Sequence, residues 1–380
     1  MSANRLKNIQ EYYFSTKLRE LEQLKAQGHS IINLGIGSPD LPPPLSVRKK
    51  LAEYALKDTE HQYQSYRGRI ELRKAIAYFY KKHYEVNQNP EDEILPLIGS
   101  KEGILHLSMA LLNEGDKVLV PNPGYMSYRS VSLMAGAIPI NYSLNEENSF
   151  LPDLHTLEQQ DLSEVKIMWV NYPNMPTGAQ ANTKIFKKLI DFGRRHQILI
   201  VNDNPYSLIL SSKPQSILQI KGADEVAVEL NSLSKSHNMA GWRIGMLLGN
   251  KSVIKQVIKF KSQMDSGMYA GLQMAAVEAL KIDNQWFENI NRIYANRKKL
   301  VLEICKTLNL SVKNEQAGLF VWAKLPDNIH SEKFCNQLLA EKKIFITPGY
   351  IFGSNGKHFV RLSLTNDEKI LTETINRLTT

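Results

Sequence analysis

The chain has 380 residues, of which 43% are hydrophobic and 22% are charged, as in ordinary globular proteins with a large core. At this length we expect two or three domains, because single hydrophobic cores stop growing at about 250–300 residues. The basic residues behind the formal net charge of +9 are scattered along the chain, some of them as pairs such as Lys49-Lys50 and Lys298-Lys299. Without a basic tail or stripe, this charge does not indicate nucleic-acid binding.

The distribution of cysteine, histidine and apolar residues excludes further classes. Cys305 and Cys335 lie far apart and form no CxxC pair, and the nine histidines stand singly. We therefore expect neither a disulfide framework nor a metal site. No segment approaches the roughly 20 apolar residues of a membrane span, and the N-terminus has no apolar signal region. The prediction is a cytoplasmic protein without a membrane partner.

The N-terminal part is predicted to contain a helix, a short strand and an irregular loop. Leucines at helical spacing predict a helix over residues 13–27, with Gly28 just past its end. A strand over residues 31–34 then leads into the glycine- and proline-rich segment around Gly37. Glycines permit a close approach of the backbone to a ligand, and prolines stiffen the chain that follows.

The tripeptide Gly-Ser-Lys at residues 99–101 stands at the start of a predicted helix with one apolar face. Ser100 is the predicted N-cap of this helix. The free backbone N–H groups and the positive end of the helix dipole therefore face whatever precedes the helix. This arrangement favours an anion, such as a phosphate.

Three apolar strands are predicted at residues 117–120, 165–170 and 198–203. Unbroken apolar runs of this kind are typical of parallel strands that are covered on both faces. Ligands of open α/β sheets bind at the carboxyl ends of such strands. Asp203 ends the third of these runs and is therefore a candidate ligand-binding residue.

The functional prediction centres on Lys235, in the segment from 231 to 245. Lys235 is flanked by Ser232 and Ser234, and Arg243 follows eight positions later. A lysine adds to an aldehyde only as the neutral amine, so it needs a desolvated or cation-rich setting that lowers its pKa. Two hydroxyls and a guanidinium suit a dianionic phosphate. Together they describe a site for pyridoxal 5′-phosphate (PLP), joined to Lys235 as a Schiff base.

A helical region is predicted over 263–280, followed by a long helix over 286–307 that links the large domain to the small one. The part that follows is predicted to be α+β, with a strand over 319–323, a helix over 331–342 and strands over 344–346 and 358–364. In the last strand, alternation places Arg361 on the face opposite the more apolar one. Its guanidinium has the geometry to grip a carboxylate in two places.

The segment around Lys235 resembles the lysine motif of class I/II aminotransferases, which are fold-type I PLP enzymes, and further matches run from Gly37 to Arg361. The resemblance implies an α/β fold whose large domain, residues 46–284, has a mostly parallel seven-stranded sheet covered by helices. It implies a smaller α+β domain at 285–380, to which the arm at 1–45 contributes. It also implies amino transfer from an L-amino acid to a 2-oxo acid in a homodimer with shared active sites.

The resemblance also implies a role for each candidate residue. The cofactor ring is contacted by Tyr125, by Asp203 at the pyridine nitrogen and by Tyr206 at the phenolic oxygen O3′. The phosphate is held by Gly99, Ser100, Lys101, Ser232, Ser234 and Arg243. The substrate carboxylate is bound by Gly37 and Arg361. Tyr63, five residues before Gly68, reaches the phosphate in the neighbouring subunit, and Tyr66 is the alternative candidate for this role.

One position departs from the family pattern. The family usually has Asn-Pro-Thr-Gly, in which the Asn donates to O3′, whereas this chain has Met175 before Pro176. A thioether donates no hydrogen bond. The donor is then Asn174, Asn171 or Tyr206 alone, and Asn174 is our choice.

Two alternatives remain at this point. Another fold-type I enzyme, such as a C–S β-lyase, would use almost the same cofactor residues. A non-catalytic PLP-binding sensor domain would need an N-terminal winged helix, for which there is little room before the first motif. Members that act on dicarboxylates use an arginine near residue 270, and the absence of Arg and Lys between Ser262 and Leu280 argues against an aspartate-dedicated enzyme.

Overall fold

The computed structural model describes residues 3–211, 213–313, 315–327 and 329–380. The helices are α1 (Tyr13–Ala26), α2 (Leu45–Ala55), α3 (Ile70–Tyr84), α4 (Ser100–Leu111), α5 (Met126–Met134), α6 (Leu154–Glu158), α7 (Thr183–His196), α8 (Ala223–Val226), α9 (Leu233–Ser236), α10 (Lys251–Lys261), α11 (Ala270–Leu280), α12 (Asn284–Thr307), α13 (Ser331–Lys342) and α14 (Glu368–Thr379). Within these ranges, no helix combines the length and apolar character that crossing a membrane requires.

The strands are β1 (Ile32–Asn33), β2 (Ile94–Leu97), β3 (Lys117–Asn122), β4 (Ile138–Ser143), β5 (Val165–Val170), β6 (Leu199–Asp203), β7 (Ala227–Ser232), β8 (Gly245–Gly249), β9 (Ser311–Val312), β10 (Phe320–Lys324), β11 (Ile344–Phe345), β12 (Thr347–Pro348) and β13 (Phe359–Ser363). Seven of them form one sheet in the order β2-β8-β7-β6-β5-β3-β4. In this sheet β8 runs antiparallel to both neighbours, and the other pairs are parallel. The predicted α/β class with a mostly parallel seven-stranded sheet is confirmed.

Helix α7 illustrates how the helices that cover this sheet form. The Asn182 side chain caps its first turn by accepting from the Ile185 backbone N–H at 3.1 Å. Apolar residues recur at helical spacing on one side, where Phe186 and Leu189 are buried, while Lys187 and Lys188 face solvent. The amphipathic pattern therefore determines which face packs on the protein core.

A second, smaller sheet has the antiparallel order β12-β13-β10-β9. Close to it, β1 pairs in parallel with β11, so that Ile32 is the partner of Ile344. Segments more than 300 residues apart thus pack together, and the predicted contribution of both chain ends to this α+β part is confirmed. The domain boundaries predicted near residues 45 and 284 stay a prediction.

The helical region predicted over 263–280 is wrong in its first part. Helix α10 ends at Lys261 and α11 begins only at Ala270. Between them, Gly267 has φ +85°, and its backbone N–H donates to the Asp265 carboxylate at 3.0 Å. A left-handed glycine held by a local side-chain bond interrupts the helix.

A buried ion pair joins α12 to the loop after β1. Arg297 is 2% exposed, and its two terminal nitrogens donate to the two oxygens of Asp40 at 2.7 and 2.8 Å. The same guanidinium also donates to the carbonyl of Leu364 at 3.3 Å. Because the Asp40 side chain is 31% exposed, water reaches the carboxylate but hardly reaches the guanidinium.

This asymmetry predicts unequal effects of the two halves of the pair. Asp40→Ala removes the bidentate partner of a buried guanidinium and leaves it only the more distant Glu368 carboxylate, 3.9 Å from Nε, so we expect a loss of about 3 kcal/mol in unfolding free energy. Arg297→Met leaves a carboxylate that water can solvate, so we expect a loss closer to about 1 kcal/mol. Urea unfolding of both variants measures the difference, with Lys50→Ala in an exposed pair as the control. Equal losses at positions 40 and 297 would contradict the proposed asymmetry.

Candidate active site

A cavity of about 320 Å³ lies at the carboxyl ends of β6 and β7. It collects most of the residues predicted from the sequence. Those that line it are Gly37, Ser100, Lys101, Tyr125, Asp203, Tyr206, Ser232, Ser234, Lys235, Arg243 and Arg361. Residues separated by more than 300 positions in the chain therefore contribute to one space.

Lys235 lies in the single turn of α9, directly after β7. The Ser232 side chain caps this turn by accepting from the Ser234 backbone N–H at 3.4 Å. The Lys235 Nζ donates to the carbonyl of Gly37 at 2.7 Å. Burial lowers the pKa of Lys235 to about 8, and the positive charges of Arg361 and Arg243 act in the same direction. A large fraction of this amine is therefore neutral near pH 8.

Asp203 is the last residue of β6 and is 5% exposed. Its Oδ2 accepts a hydrogen bond from the Tyr128 hydroxyl at 2.8 Å, while Oδ1 is buried and has no hydrogen-bond partner among the residues that the structure describes. Burial raises the pKa of Asp203 to about 6, although the Tyr128 bond opposes this shift. One carboxylate oxygen thus remains free for a donor or cation in the cavity.

Ser100 and Arg243 form the polar end of the cavity, beside the start of α4. The N-cap of α4 is Gly99 and not Ser100, so the prediction for Ser100 is wrong by one position. Gly99 has φ +81°, and a Cβ there would overlap the guanidinium of Arg243. Only glycine therefore lets Arg243 approach the helix start, where backbone N–H groups and a positive charge suit an anion.

Arg361 is 4% exposed and lies among aromatic rings. Its guanidinium carbon is 3.9 Å from the ring centre of Phe320 and 4.8 Å from that of Phe352. One terminal nitrogen donates to the Gly35 carbonyl at 2.7 Å, and the other lies 3.1 Å from the Met175 sulfur. Burial lowers the pKa of Arg361 to about 10. These neutral contacts leave the positive charge available to an anionic ligand.

The two asparagines near Met175 occupy different environments. Asn174 is absent from the cavity lining, and its side-chain oxygen accepts from the Thr177 hydroxyl at 2.8 Å inside its own turn. Asn171 lines the cavity together with Met175 and donates its amide to the Asp203 backbone carbonyl. The fold therefore brings Asn171, and not the chosen Asn174, to the cavity wall.

Tyr63 and Gly99 are the other predicted residues outside the lining. Gly99 acts by making room for Arg243, as described above. Tyr63 is 93% exposed, and Tyr66 is 46% exposed. Neither tyrosine belongs to the cavity of its own chain.

Several lining residues were missed by the sequence analysis. They include Tyr12, Phe14 and Leu18 near the N-terminus, Tyr128 on α5, and Phe320 on β10. Tyr128 follows Tyr125 by three residues at the start of α5, and the two rings are 5.5 Å apart, so this spacing was a usable signal. The sequence carries no signal for Tyr12, whose ring lies 4.3 Å from the Lys101 ammonium, because only the tertiary fold joins the two segments.

The arrangement combines four chemical capabilities in one space. These are an amine of lowered pKa, a carboxylate with a free oxygen, an anion-binding helix start and a buried guanidinium. Such a site suits carbonyl–amine chemistry on anionic molecules.

Comparisons with known proteins agree with this chemistry. The family model for aminotransferase class I and II matches residues 29–378. An LL-diaminopimelate aminotransferase of Aquifex aeolicus is 40% identical over 379 residues, covering 99% of this chain and 98% of that protein. Another, from Halothermothrix orenii, is 38% identical over 99% of this chain and 97% of its own.

Solved structures of related proteins are also similar to this chain, in fold as well as in sequence. Substrate-bound BacF from Bacillus subtilis has a TM-score of 0.96 at 37% identity, covering 100% of this chain and 97% of that one. An aminotransferase from Staphylococcus aureus has a TM-score of 0.91 at 32% identity, covering 100% and 98%. With its fold, its cavity and these matches along nearly its whole length, the chain belongs to the class I and II aminotransferase family.

Proposed function

We propose that this aminotransferase uses PLP, held at Lys235, to move an amino group from an L-amino acid to a 2-oxo acid. The observation that carries the proposal is the amine of Lys235, whose pKa is lowered to about 8 in a cavity that also contains Asp203 and Arg361. A neutral lysine amine beside a carboxylate and a guanidinium is what amine transfer between carbonyl compounds requires.

The residues present fit this cofactor. The unpartnered Oδ1 of Asp203 would accept from a protonated pyridine nitrogen, and the Gly99–Arg243 approach at the start of α4 would hold a phosphate. Ser100, Ser232 and Ser234 add hydroxyls to that cup, and Tyr125 lines the cavity where a ring would stack. When bound, PLP supplies an aldehyde that condenses with amines and a cationic ring that accepts electrons.

The chain's own groups then have separate tasks. Arg361 binds the α-carboxylate of the donor, since its buried guanidinium has neutral partners in the protein. The Lys235 amine takes the proton from the donor Cα and returns a proton when the acceptor is converted. Tyr206 and Asn171, which both line the cavity, replace the missing Asn at position 175 in holding the phenolic oxygen.

The donor is the finer part of the proposal. Relatives at 38–40% identity are named LL-diaminopimelate aminotransferases, which makes LL-diaminopimelate the first donor to test. The wall formed by Phe14, Leu18 and Ile36 favours a second candidate, an amino acid with an apolar side chain. A donor panel with 2-oxoglutarate and pyruvate as acceptors, in which new amino acid is quantified, distinguishes the two.

We further propose a homodimer with shared active sites. Tyr63 is 93% exposed on its own chain, and large apolar side chains such as Leu56, at 85%, are also exposed. Where such side chains lie in one patch, they mark a surface that a partner covers. In the dimer, Tyr63 would reach the phosphate bound by the other subunit.

Lys235→Ala tests the central assignment. We expect amino transfer to fall below detection in the donor panel, because the variant lacks the amine that moves the proton at Cα. We also expect borohydride treatment to attach PLP covalently to the wild-type peptide containing Lys235 and to leave the variant unlabelled. Lys333→Ala, at an exposed lysine, is the matched control. Near-normal turnover of Lys235→Ala would refute the assignment.

Arg361→Leu tests recognition of the carboxylate. We expect kcat/KM for amino acids to fall by the equivalent of about 2–5 kcal/mol, since a buried, hydrogen-bonded charge pair is lost. Amines that lack a carboxylate serve as the internal control and should lose little. Steady-state kinetics with both donor types measures the contrast, and an equal loss for both would contradict the role of Arg361.

Asp203→Asn tests the environment of the carboxylate without any ligand. Folding raises the pKa of Asp203 from 3.8 to about 6, so the folded state favours the protonated form. The associated stability is present at low pH and is lost as the pH rises towards 6. We therefore expect the apo-protein of the variant to be more stable than wild type at pH 8, by about 2–3 kcal/mol, with the advantage vanishing near pH 4.

Thermal unfolding of the apo-protein between pH 4 and pH 8 measures this dependence. Asp58→Asn, at an exposed aspartate, is the control and should show no such trend. The Asp203→Asn variant should meanwhile lose amino transfer with PLP. A stability difference that does not change with pH would contradict the argument.

A further inference from the structure

A second carboxylate lies close to the site but outside the cavity. Glu229, on β7, is fully buried, and it precedes Lys235 by six positions. Its Oε1 accepts from the Tyr80 hydroxyl at 2.9 Å and from the Asn204 amide at 3.1 Å. Its Oε2 accepts from the Asn202 amide at 2.8 Å and from the Ile217 backbone N–H at 3.1 Å. Both oxygens are thus saturated by neutral donors.

The direction of one of these bonds bears on the protonation state of Glu229. The Asn231 amide donates to the Tyr80 oxygen at 3.1 Å, so the Tyr80 proton points to Glu229. A protonated Glu229 would need an acceptor, and all four of its partners donate. Although burial raises the pKa of Glu229, this set of partners matches the ionised form.

The partners of Glu229 belong to the two segments that carry the proposed catalytic groups. Asn202 and Asn204 stand on either side of Asp203 at the end of β6. On the other side, the chain of bonds runs through Tyr80 to Asn231, whose side-chain oxygen accepts from the Ser232 backbone N–H at 2.7 Å. Ser232 is the cap of the turn that contains Lys235. One anion therefore connects both segments.

We infer that Glu229 is a positioning residue, whose buried negative charge holds the ends of β6 and β7 so that Asp203 and Lys235 face the same cavity. The inference rests on the proposed roles of those two residues. The charge of Glu229 also acts on Asp203, whose other close neighbours with titratable groups are Tyr128 on α5 and Tyr206. Glu229 thereby adds to the negative potential that a cationic ring nitrogen would meet.

The first test compares two tyrosines of α3. Tyr80 and Tyr84 are both buried, and each loses one hydroxyl when replaced by Phe. The Tyr84 hydroxyl bonds to Ser207 at 2.6 Å and not to Glu229. We expect Tyr80→Phe to lower kcat about three- to tenfold, the worth of one hydrogen bond, and Tyr84→Phe to leave kcat within twofold. Equal losses would overturn the inference.

The second test removes the charge with Glu229→Gln. We expect a loss of about 10- to 100-fold in kcat, because Asp203 and Lys235 are still present but are no longer correctly placed for the reaction. The second readout is the affinity of the apo-protein for PLP, measured by fluorescence between pH 4.5 and 8. The plot of PLP affinity against pH should show an inflection due to Asp203, which is identified by its absence in Asp203→Asn. In Glu229→Gln this inflection should move to lower pH.

A role confined to stability would lower the melting temperature of Glu229→Gln and leave that inflection in place, which would overturn the inference. Should Glu229→Gln fail to fold, the Tyr80 and Tyr84 pair decides alone. Wild-type turnover in the same assay tests the proposed function separately. An active wild type with unaffected variants at positions 80 and 229 would refute only the role of Glu229.

Discussion

The site depends on buried charged groups that the fold holds beside one cavity. The protein supplies only part of the hydrogen-bonding and charge partners that these groups could take. Asp203 keeps one buried carboxylate oxygen free, and the Arg361 guanidinium is surrounded by rings, a carbonyl and a thioether. Such groups are costly to bury, and the cost appears in the shifted pKa values of Asp203, Lys235 and Arg361. A ligand with a cationic nitrogen, an aldehyde and an anion would recover much of that free energy. These buried charged groups thus favour binding of a complementary molecule.

Sheet topology explains why these groups meet. The strands β5, β6 and β7 are parallel, so their carboxyl ends lie at one edge. That edge presents Asn171, Asp203 and Ser232 in neighbouring positions. The opposite wall of the cavity comes from the smaller α+β part. There the Gly35 carbonyl accepts hydrogen bonds from both Thr347 and Arg361. A long-range pairing of chain ends therefore completes a site that the large sheet begins.

Sequence and structure agree best where chemistry is local. The turn with Lys235 and its two serines is a short segment, so residue types and spacing were sufficient to predict its place in the cavity. They were insufficient at Asn174, because the direction of a side chain within a tight turn depends on the bonds it makes to Thr177. They were also insufficient for Arg361, because strand alternation assigns a face but does not reveal which element covers that face.

The sequence by itself determined the family, the order of the motifs and the chemical identity of most groups around the cavity. Apolar runs and caps are local properties, and they predicted many of the helices and strands within a few residues. Only the tertiary structure decided that Tyr12 meets Lys101, that Asn171 is the asparagine on the wall, and that Glu229 connects two segments of the site. These contacts join residues distant in the chain, and they follow from how whole elements pack, which no single stretch of sequence encodes.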